Sequence, residues 1–328
     1  MNNVAAYFLR CTALTAVCCL FPGYLFAAGP VWIDADPACD YHSAHDVDDC
    51  WALTLALYAL PEHIRGFSTV FGNSSEAQSY GSMQSVLSMA DQAGQAPPVY
   101  RGATGPLLLE APAQHNAAAM AMAAALAEQM LTIIALGPLT NIAALLQAHP
   151  EQGANIERVI AVAGQRSLTD ARFYPGSSKL FHVHDFNFRK DVAAFETVLR
   201  AGIPMTLLPF ETAQKIGIGR KDLSAMAVSS STAQWLARVS GPWLTFWESA
   251  FEAETFHPFD SLAVGIVIHP SQFSCEQLPV IIERKPALFI DSRDRLLVSS
   301  ALNSQFSVRY CQHVDPEFKD FLLTSLQR

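Results

Sequence analysis

The chain has 328 residues, 51% of them hydrophobic and 16% charged, with a formal net charge of −9. That length and apolar content suffice for a large core, in one big α/β domain or two smaller ones. The acidic balance and the lack of any basic run argue against nucleic acid as a partner.

The N-terminus reads as a targeting segment. Residues 1–10 are weakly positive, Cys11 to Phe26 form an apolar run, and the small residues Ala27, Ala28 and Gly29 follow. This is the pattern of a secretory signal peptide, with cleavage expected near Ala27 or Ala28, so that residues 1–28 leave and 29–328 form the mature domain. The run is short for a membrane anchor and contains Pro22 and Gly23; a retained anchor is the alternative. The expectation is a periplasmic or secreted protein with no membrane association after cleavage. Cys11, Cys18 and Cys19 leave with the signal, and Cys39, Cys50, Cys275 and Cys311 remain. An even number in an oxidising compartment permits disulfides, and a Cys39–Cys50 bridge would clamp the loop between them; buried free thiols are the equal alternative.

From residue 30 onward, strand and helix patterns alternate. Strands are expected at Val31–Asp34, Gly66–Phe71, Thr132–Leu136, Arg158–Ala163 and Met205–Leu208. Helices are expected at Val47–Leu60, Glu76–Gln92, His115–Gln129, Leu139–Ala148 and Val192–Ala201. This rhythm predicts an α/β fold with a mostly parallel sheet flanked by helices. Beyond Pro209 helices dominate, at Ser229–Ala253 and Phe259–Ile268. Short strands at Leu278–Ile282, Arg295–Ser299 and Val308–Tyr310 read as an appended ribbon. The polar and aromatic stretch 165–184 is a candidate lid. No repeat or linker is visible, which favours one domain.

The strand Val31–Asp34 runs into Asp34-Ala35-Asp36-Pro37. A polar loop follows, then Asp46-Val47-Asp48-Asp49 opens an apolar helical pattern. At the C-terminal end of a parallel strand these carboxylates would converge in the crevice where open α/β sheets bind ligands. Acids so close repel unless a cation sits among them, and all-oxygen ligation suits Ca²⁺ or Mg²⁺. Helix capping accounts for one of Asp48 and Asp49 but not for two aspartates at a strand end.

Seven segments in order together resemble the nucleoside hydrolase family, the inosine-uridine-preferring N-ribohydrolases. The acidic stretch is similar to D-x-D-P-G followed by D-V-D-D-A-x-A-L. Val70-Phe71-Gly72-Asn73 is similar to V-x-G-N, and Val99 to Leu107 to V-x-x-G-A-x-x-P-L. Leu136-Gly137-Pro138-Leu139-Thr140-Asn141-Ile142-Ala143 matches L-G-P-L-T-N-I-A. Asp185-Phe186-Asn187 with Asp191 resembles E-F-N-x-x-x-D, Gly202 to Pro209 resembles G-I-P-x-T-x-x-P, and Phe259-Asp260-Ser261-Leu262-Ala263-Val264 resembles H-D-P-L-A-V. The chain departs in four places. Ala38 stands for the Gly of D-P-G, and about eight residues, Asp40 to Val47, are extra relative to the shortest family form. Asp185 replaces a Glu, and Phe259 stands where many members have His.

The resemblance implies the nucleoside hydrolase fold with a Rossmann-like core, and Ca²⁺-dependent hydrolysis of ribonucleosides to ribose and free base. Asp36, Asp49 and Asp260 would be metal ligands, with the Leu136 carbonyl adding a neutral oxygen. The bland alternatives are a helix cap for Asp260 and strand core for Leu136. Asp36 would be the catalytic base, taking a proton from the metal-held water, and the sugar would pass through an oxocarbenium-like state. Asp48 and Asn73 would hold ribose hydroxyls, Asn187 would grip the ribose from the other side, and Asp185 would lie near the 5′ end. Asp34 would orient ligands from behind. With Phe259 in place of His, the leaving-group acid is open, and His257 is the nearest substitute. Trp243 and Trp247, at i, i+4 spacing, would stack a base or, as favoured, pack in the core. The family commonly forms dimers or tetramers, so a homo-oligomer is expected. The rival non-enzyme reading is a secreted Ca²⁺-dependent binder of nucleosides or sugars. A haloacid-dehalogenase-type phosphatase is disfavoured, because Pro37-Ala38 follows the D-x-D where a hydroxyl residue is required.

Overall fold

The computed structural model describes residues 29–39, 45–90, 96–108, 116–166, 176–177, 184–284 and 294–328. The expected signal peptide and most of the candidate lid lie outside the described residues.

Among the described residues a ten-stranded sheet forms the centre. Its first half is built of βα repeats. Strand β1 (Val31–Ala35) leads to helix α1 (Asp48–Ala59), β2 (Ile64–Thr69) to α2 (Glu76–Ala90), and β3 (Val99–Arg101) to α3 (Ala117–Glu128). Next come β4 (Leu131–Ala135), α4 (Thr140–Ala148), β5 (Ile156–Ala161), β6 (Gln165–Arg166), α5 (Phe186–Lys190), α6 (Val192–Arg200) and β7 (Met205–Leu207). A mostly helical stretch follows: α7 (Phe210–Ala213), β8 (Ile218–Gly219), α8 (Arg220–Met226), α9 (Ser231–Phe251), β9 (Thr255–Phe256) and α10 (Ser261–Ile268). The chain closes with β10 (Phe273–Glu283), β11 (Arg295–Val298), β12 (Ser307–Val314) and α11 (Glu317–Leu326).

The strand order is β3-β2-β1-β4-β5-β7-β12-β10-β11-β6. From β3 to β12 all pairings are parallel; β10 pairs antiparallel with both β12 and β11. The sheet grows one way from β1 through β2 and the other way through β4, so β1 and β4 flank the point where the chain reverses direction across the sheet. Open α/β sheets form their ligand crevice outside the strand ends at such a point.

The central strands β1 (VWIDA) and β4 (LTIIA) are buried along their whole length. Continuous apolar runs of this kind belong to strands covered on both faces. Side-chain alternation splits them between two cores: Ile33 packs with α1, α9, α10 and α11, whereas Trp32 packs with α3, α4 and α6. The seven helices expected from periodicity all form, with ends within two residues of those expected.

The expected appended ribbon is instead part of the main sheet. β12 pairs in parallel with β7, and β10 reaches over eleven residues. Its alternation of exposed and buried positions is that of a sheet margin, which a short apolar run does not reveal. Both disulfides form among the described cysteines. Cys275 faces Cys311 across β10 and β12, and Cys39 joins Cys50 on α1. None of the described helices is long and apolar enough to cross a membrane.

Helix α9 lies against α1 and α2 despite Pro242 in its interior. Trp51 on α1 fixes the docking: it is fully buried, its Nε1 donates to Ser240 Oγ at 2.9 Å, and its ring meets Phe256 edge-on. Replacing Trp51 with Ala should cost about 3–5 kcal/mol, read as a lowered denaturant midpoint with an unchanged slope.

Candidate active site

The elements around the reversal point deliver acids from three places. Asp34 and Asp36 end β1, Asp48 and Asp49 open α1, and Asp260 precedes α10. All five are buried, at most 5% exposed. Helix α10 packs on α1, which brings Asp260 onto the acids of the N-terminal half. Asp260 sits at the N-cap of α10, yet its side chain makes no capping hydrogen bond. Capping therefore does not account for it.

Carboxylate oxygens of Asp48, Asp49 and Asp260 lie within 4.8 Å of one another. Asp36 adjoins this group through Asp49, whose Oδ1 accepts from the Asp36 backbone N–H at 3.1 Å. Asn73 ties the two together: its backbone N–H donates to Asp36 Oδ2 at 2.6 Å and its Nδ2 to Asp49 Oδ2 at 3.1 Å. Asp36 Oδ1 is buried with no hydrogen-bond partner. The carboxylate is wedged between two glycines. A Cβ at Gly72 would meet Asp36 Oδ2 at 1.8 Å, and one at Gly137 would meet Oδ1 at 2.7 Å. Only a residue without a side chain fits at either point. This is the physical content of the Gly-Asn and Leu-Gly-Pro segments.

A further layer holds the strand ends together. Asp34 accepts from Ser68 Oγ and, at 2.8 Å, from Asn141 Nδ2. Asn141 also donates to the Thr69 carbonyl at 3.0 Å and accepts from the Ala103 N–H at 2.8 Å, so one amide joins β1, β2 and the turn after β3. Asp191 Oδ2 accepts from Leu107 N and Thr140 Oγ1, both at 2.7 Å. Thr140 and Asn141 of the Leu-Gly-Pro-Leu-Thr-Asn segment thus act structurally, and Asn141 braces the strand that carries the acids.

Above the acids lies a cavity of about 330 Å³. Its floor is polar, with Asp46, Asp48, Asn73, Asn187 and Asp260. Its upper wall is aromatic, with Phe210, Trp243, Trp247 and Phe259 among its rings. Trp243 and Trp247 were expected in the core rather than at a ligand. Trp247 is indeed core, yet both indoles also form the cavity wall, packed edge-on with centroids 6.2 Å apart. Leu136 reaches the cavity too, and its carbonyl accepts from Asn187 Nδ2 at 2.7 Å.

Two expected residues stand away from the cavity wall. Asp185 caps α5 by accepting from Phe188 N at 3.1 Å, and its other oxygen accepts from Gly164 N at 2.6 Å. His257 lies behind Trp247, ring centroids 5.2 Å apart, with Nδ1 3.0 Å from the Ile216 carbonyl. A carbonyl only accepts, so Nδ1 carries the proton there. Burial lowers the His257 pKa to about 4, which keeps the ring neutral.

Burial is the first cause of every carboxyl shift at the site. It raises Asp34 to about 7 against the hydrogen bonds from Ser68 and Asn141. It raises Asp49 to about 7, with the charge of Asp46 adding to it. Asp36, Asp48 and Asp260 rise well above the usual range through burial and then through each other's charge or that of Asp49. So many acids with only oxygen donors and an orphaned buried oxygen form a suitable setting for a hard divalent cation.

Solved structures similar to this one include nucleoside hydrolases. The plant nucleoside hydrolase PpNRh1 aligns over 92% of this chain and 98% of its own, with a TM-score of 0.72 and 18% identity. A purine-preferring ribonucleoside hydrolase from Gardnerella vaginalis aligns over 91% and 98%, with a TM-score of 0.73 and 17% identity. At such identities the likeness is one of fold. The family profile described as inosine-uridine preferring nucleoside hydrolase matches residues 31–319, so the chain belongs to that family. It is 29% identical to the pyrimidine-specific ribonucleoside hydrolase RihA of Salmonella agona (strain SL483), over 59% of this chain and 64% of that protein. The match therefore spans less than two thirds of that relative's length.

The shifts set a pH dependence for the metal-free protein. A carboxyl raised from 3.8 to about 7 binds its proton more tightly folded than unfolded, so its stabilising effect is complete below about pH 4 and fades as pH rises through 7. His257 acts oppositely between about 4 and 6.5, but it is one group against several. Thermal denaturation in EDTA should give a Tm lower by about 5 °C or more at pH 7.5 than at pH 5. A Tm that rises over that interval would contradict the assigned burial of charge.

Proposed function

We propose that this chain is a Ca²⁺-dependent hydrolase that cleaves the N-glycosidic bond of ribonucleosides to ribose and free base. The observation that carries this reading is Asp36. Its carboxylate is buried, one oxygen is fixed by the Asn73 N–H, and the other has no partner beside the converging acids of Asp48, Asp49 and Asp260. A protein that only bound sugar would gain nothing from an unpaired buried carboxylate oxygen, which is costly to hold.

Asp48, Asp49 and Asp260 are the groups that would hold the cation, with Asp36 alongside and the Leu136 carbonyl at the cavity edge. Bound Ca²⁺ supplies Lewis-acid activation of water. Asp36 Oδ1 accepts the proton of the attacking water, and the two flanking glycines leave the room that the carboxylate occupies. Asn73 and Asn187 line the floor, where their amides orient ribose hydroxyls. The negative floor stabilises positive charge developing on the sugar ring. The base occupies the aromatic upper half, where Trp243 and Trp247 offer flat faces for stacking. His257, neutral and behind Trp247, is not positioned to protonate the departing base, so stacking and water exclusion assist its departure instead.

The relatives' names differ on the base, pyrimidine-specific in one and purine-preferring in another, so base preference is read by experiment. The two disulfides fit folding in an oxidising compartment, which supports the export expected from the N-terminal sequence.

Ribose release from inosine, adenosine, guanosine, uridine and cytidine tests the reading. Release is expected with Ca²⁺ from at least one nucleoside and is expected to vanish with EDTA; silence on all five with Ca²⁺ still bound would favour the binding-protein alternative. Replacing Asp36 with Asn should lower kcat by about 10²–10⁴-fold while ribose binding survives. Unimpaired turnover in that variant would remove Asp36 from the role of base.

A further inference from the structure

The segment that is longest relative to the short family pattern, between Pro37 and Asp48, is closed on itself. Cys39 at its start is bonded to Cys50 in the first turn of α1. At its far end the loop presents Asp46 on the cavity wall. Asp46 is half-buried, and its Oδ1 accepts from the Asp48 backbone N–H at 3.2 Å. It thus adds an acid to a floor that already holds Asp48 and Asp260, and its charge is felt at Asp36, Asp48, Asp49 and Asp260.

A local role does not account for this residue. Asp46 accepts from the Val47 and Asp48 backbone N–H groups and meets the Asp48 carboxyl; accepting N–H groups at a helix start is a task for Ser, Thr or Asn as well as Asp, and those carry no charge into a crowd of acids. A carboxylate here increases the repulsion that the site must contain. Asp46 is also not one of the three acids whose oxygens converge. It stands on the cavity wall beside them, where a ligand's hydroxyl groups would lie. A carboxylate is acceptor-only and forms stronger hydrogen bonds to hydroxyl donors than neutral acceptors do. The disulfide supplies an anchor: it fixes Cys50, four residues beyond Asp46, to Cys39 and so restrains the start of α1 beside the carboxylate before the ligand arrives.

Resting on the functional reading above, we propose that Asp46 is a substrate-binding residue, a sugar-hydroxyl acceptor carried into the site on the disulfide-closed loop. Asp46→Ser is the informative variant, because serine keeps an acceptor for the Asp48 N–H and removes the carboxylate.

The experiment compares wild type and Asp46→Ser in Ca²⁺ on one cleaved nucleoside and on its 2′-, 3′- and 5′-deoxy analogues, with calorimetric binding of Ca²⁺ and of free ribose. The expected result is a KM raised about tenfold or more on the parent nucleoside, a Ca²⁺ Kd within about twofold of wild type, and weaker ribose binding. The penalty should disappear for the one analogue that lacks the hydroxyl Asp46 holds. Equal penalties on every analogue, or an unchanged KM and ribose affinity, would overturn the assignment and leave Asp46 as a helix-start residue. A raised Ca²⁺ Kd with all substrates equally impaired would overturn it in favour of metal binding. If wild type neither cleaves nor binds, the functional reading fails and this one with it. If wild type cleaves and the variant matches it, this inference alone fails.

Discussion

Everything at the mouth of this sheet answers to one constraint: several carboxylates are kept close together out of water. At an effective dielectric near 20, two unit charges about 5 Å apart repel by roughly 3 kcal/mol. A few such pairs rival the whole stability of a typical domain, about 5–15 kcal/mol. The fold meets the constraint with stiffness. Backbone N–H groups of Asn73 and Asp36 aim at the acids, glycines 72 and 137 leave the space that the Asp36 carboxylate fills, and a disulfide ties the first turn of α1 to the turn after β1. A scaffold that could relax would let the acids part and reach water.

The same stiffness explains why motifs far apart in the sequence belong together. Asn141 holds three strand ends at once, and Asp191 joins the turn after β3 to the start of α4. Neither touches the cavity, but both fix the frame in which the acids sit. The floor and the upper wall then divide the work by polarity. The floor carries charge and amides; the wall carries rings that also belong to the core, so the groove for the ligand is as rigid as the interior behind it.

Much of this was legible in the chain. Continuous apolar runs and helical periodicity located the parallel core, because burial on both faces and one-sided burial leave different patterns in sequence. The acids ending β1 and opening α1 were legible as a group because two carboxylates at a strand end have no local use. The C-terminal strands were misjudged as a separate ribbon, since pairing of β12 with β7 is a long-range fact that alternation in β12 cannot carry. Trp243 and Trp247 were ambiguous for a related reason: helical spacing says that two rings share a face but not whether that face ends at a core or a cavity. Asp185 and His257 show the opposite limit, since a motif position does not tell which way a side chain is engaged. Each sits beside or within a motif-like segment, yet local hydrogen bonds to Gly164, Phe188 and Ile216 engage it behind the wall.

The docking of α10 on α1 has a consequence for how the molecule is made. The acids of β1 and α1 emerge early in synthesis, while Asp260 emerges only after most of the sheet has been translated. The acidic floor is thus a long-range structure, assembled across the full sequence separation that slows folding of nonlocal topologies. It cannot exist in an N-terminal fragment, and it is lost whenever α10 lifts from α1, even if every strand stays paired. A cation held there would act as a latch between α1 in the first third of the chain and Asp260 in the last.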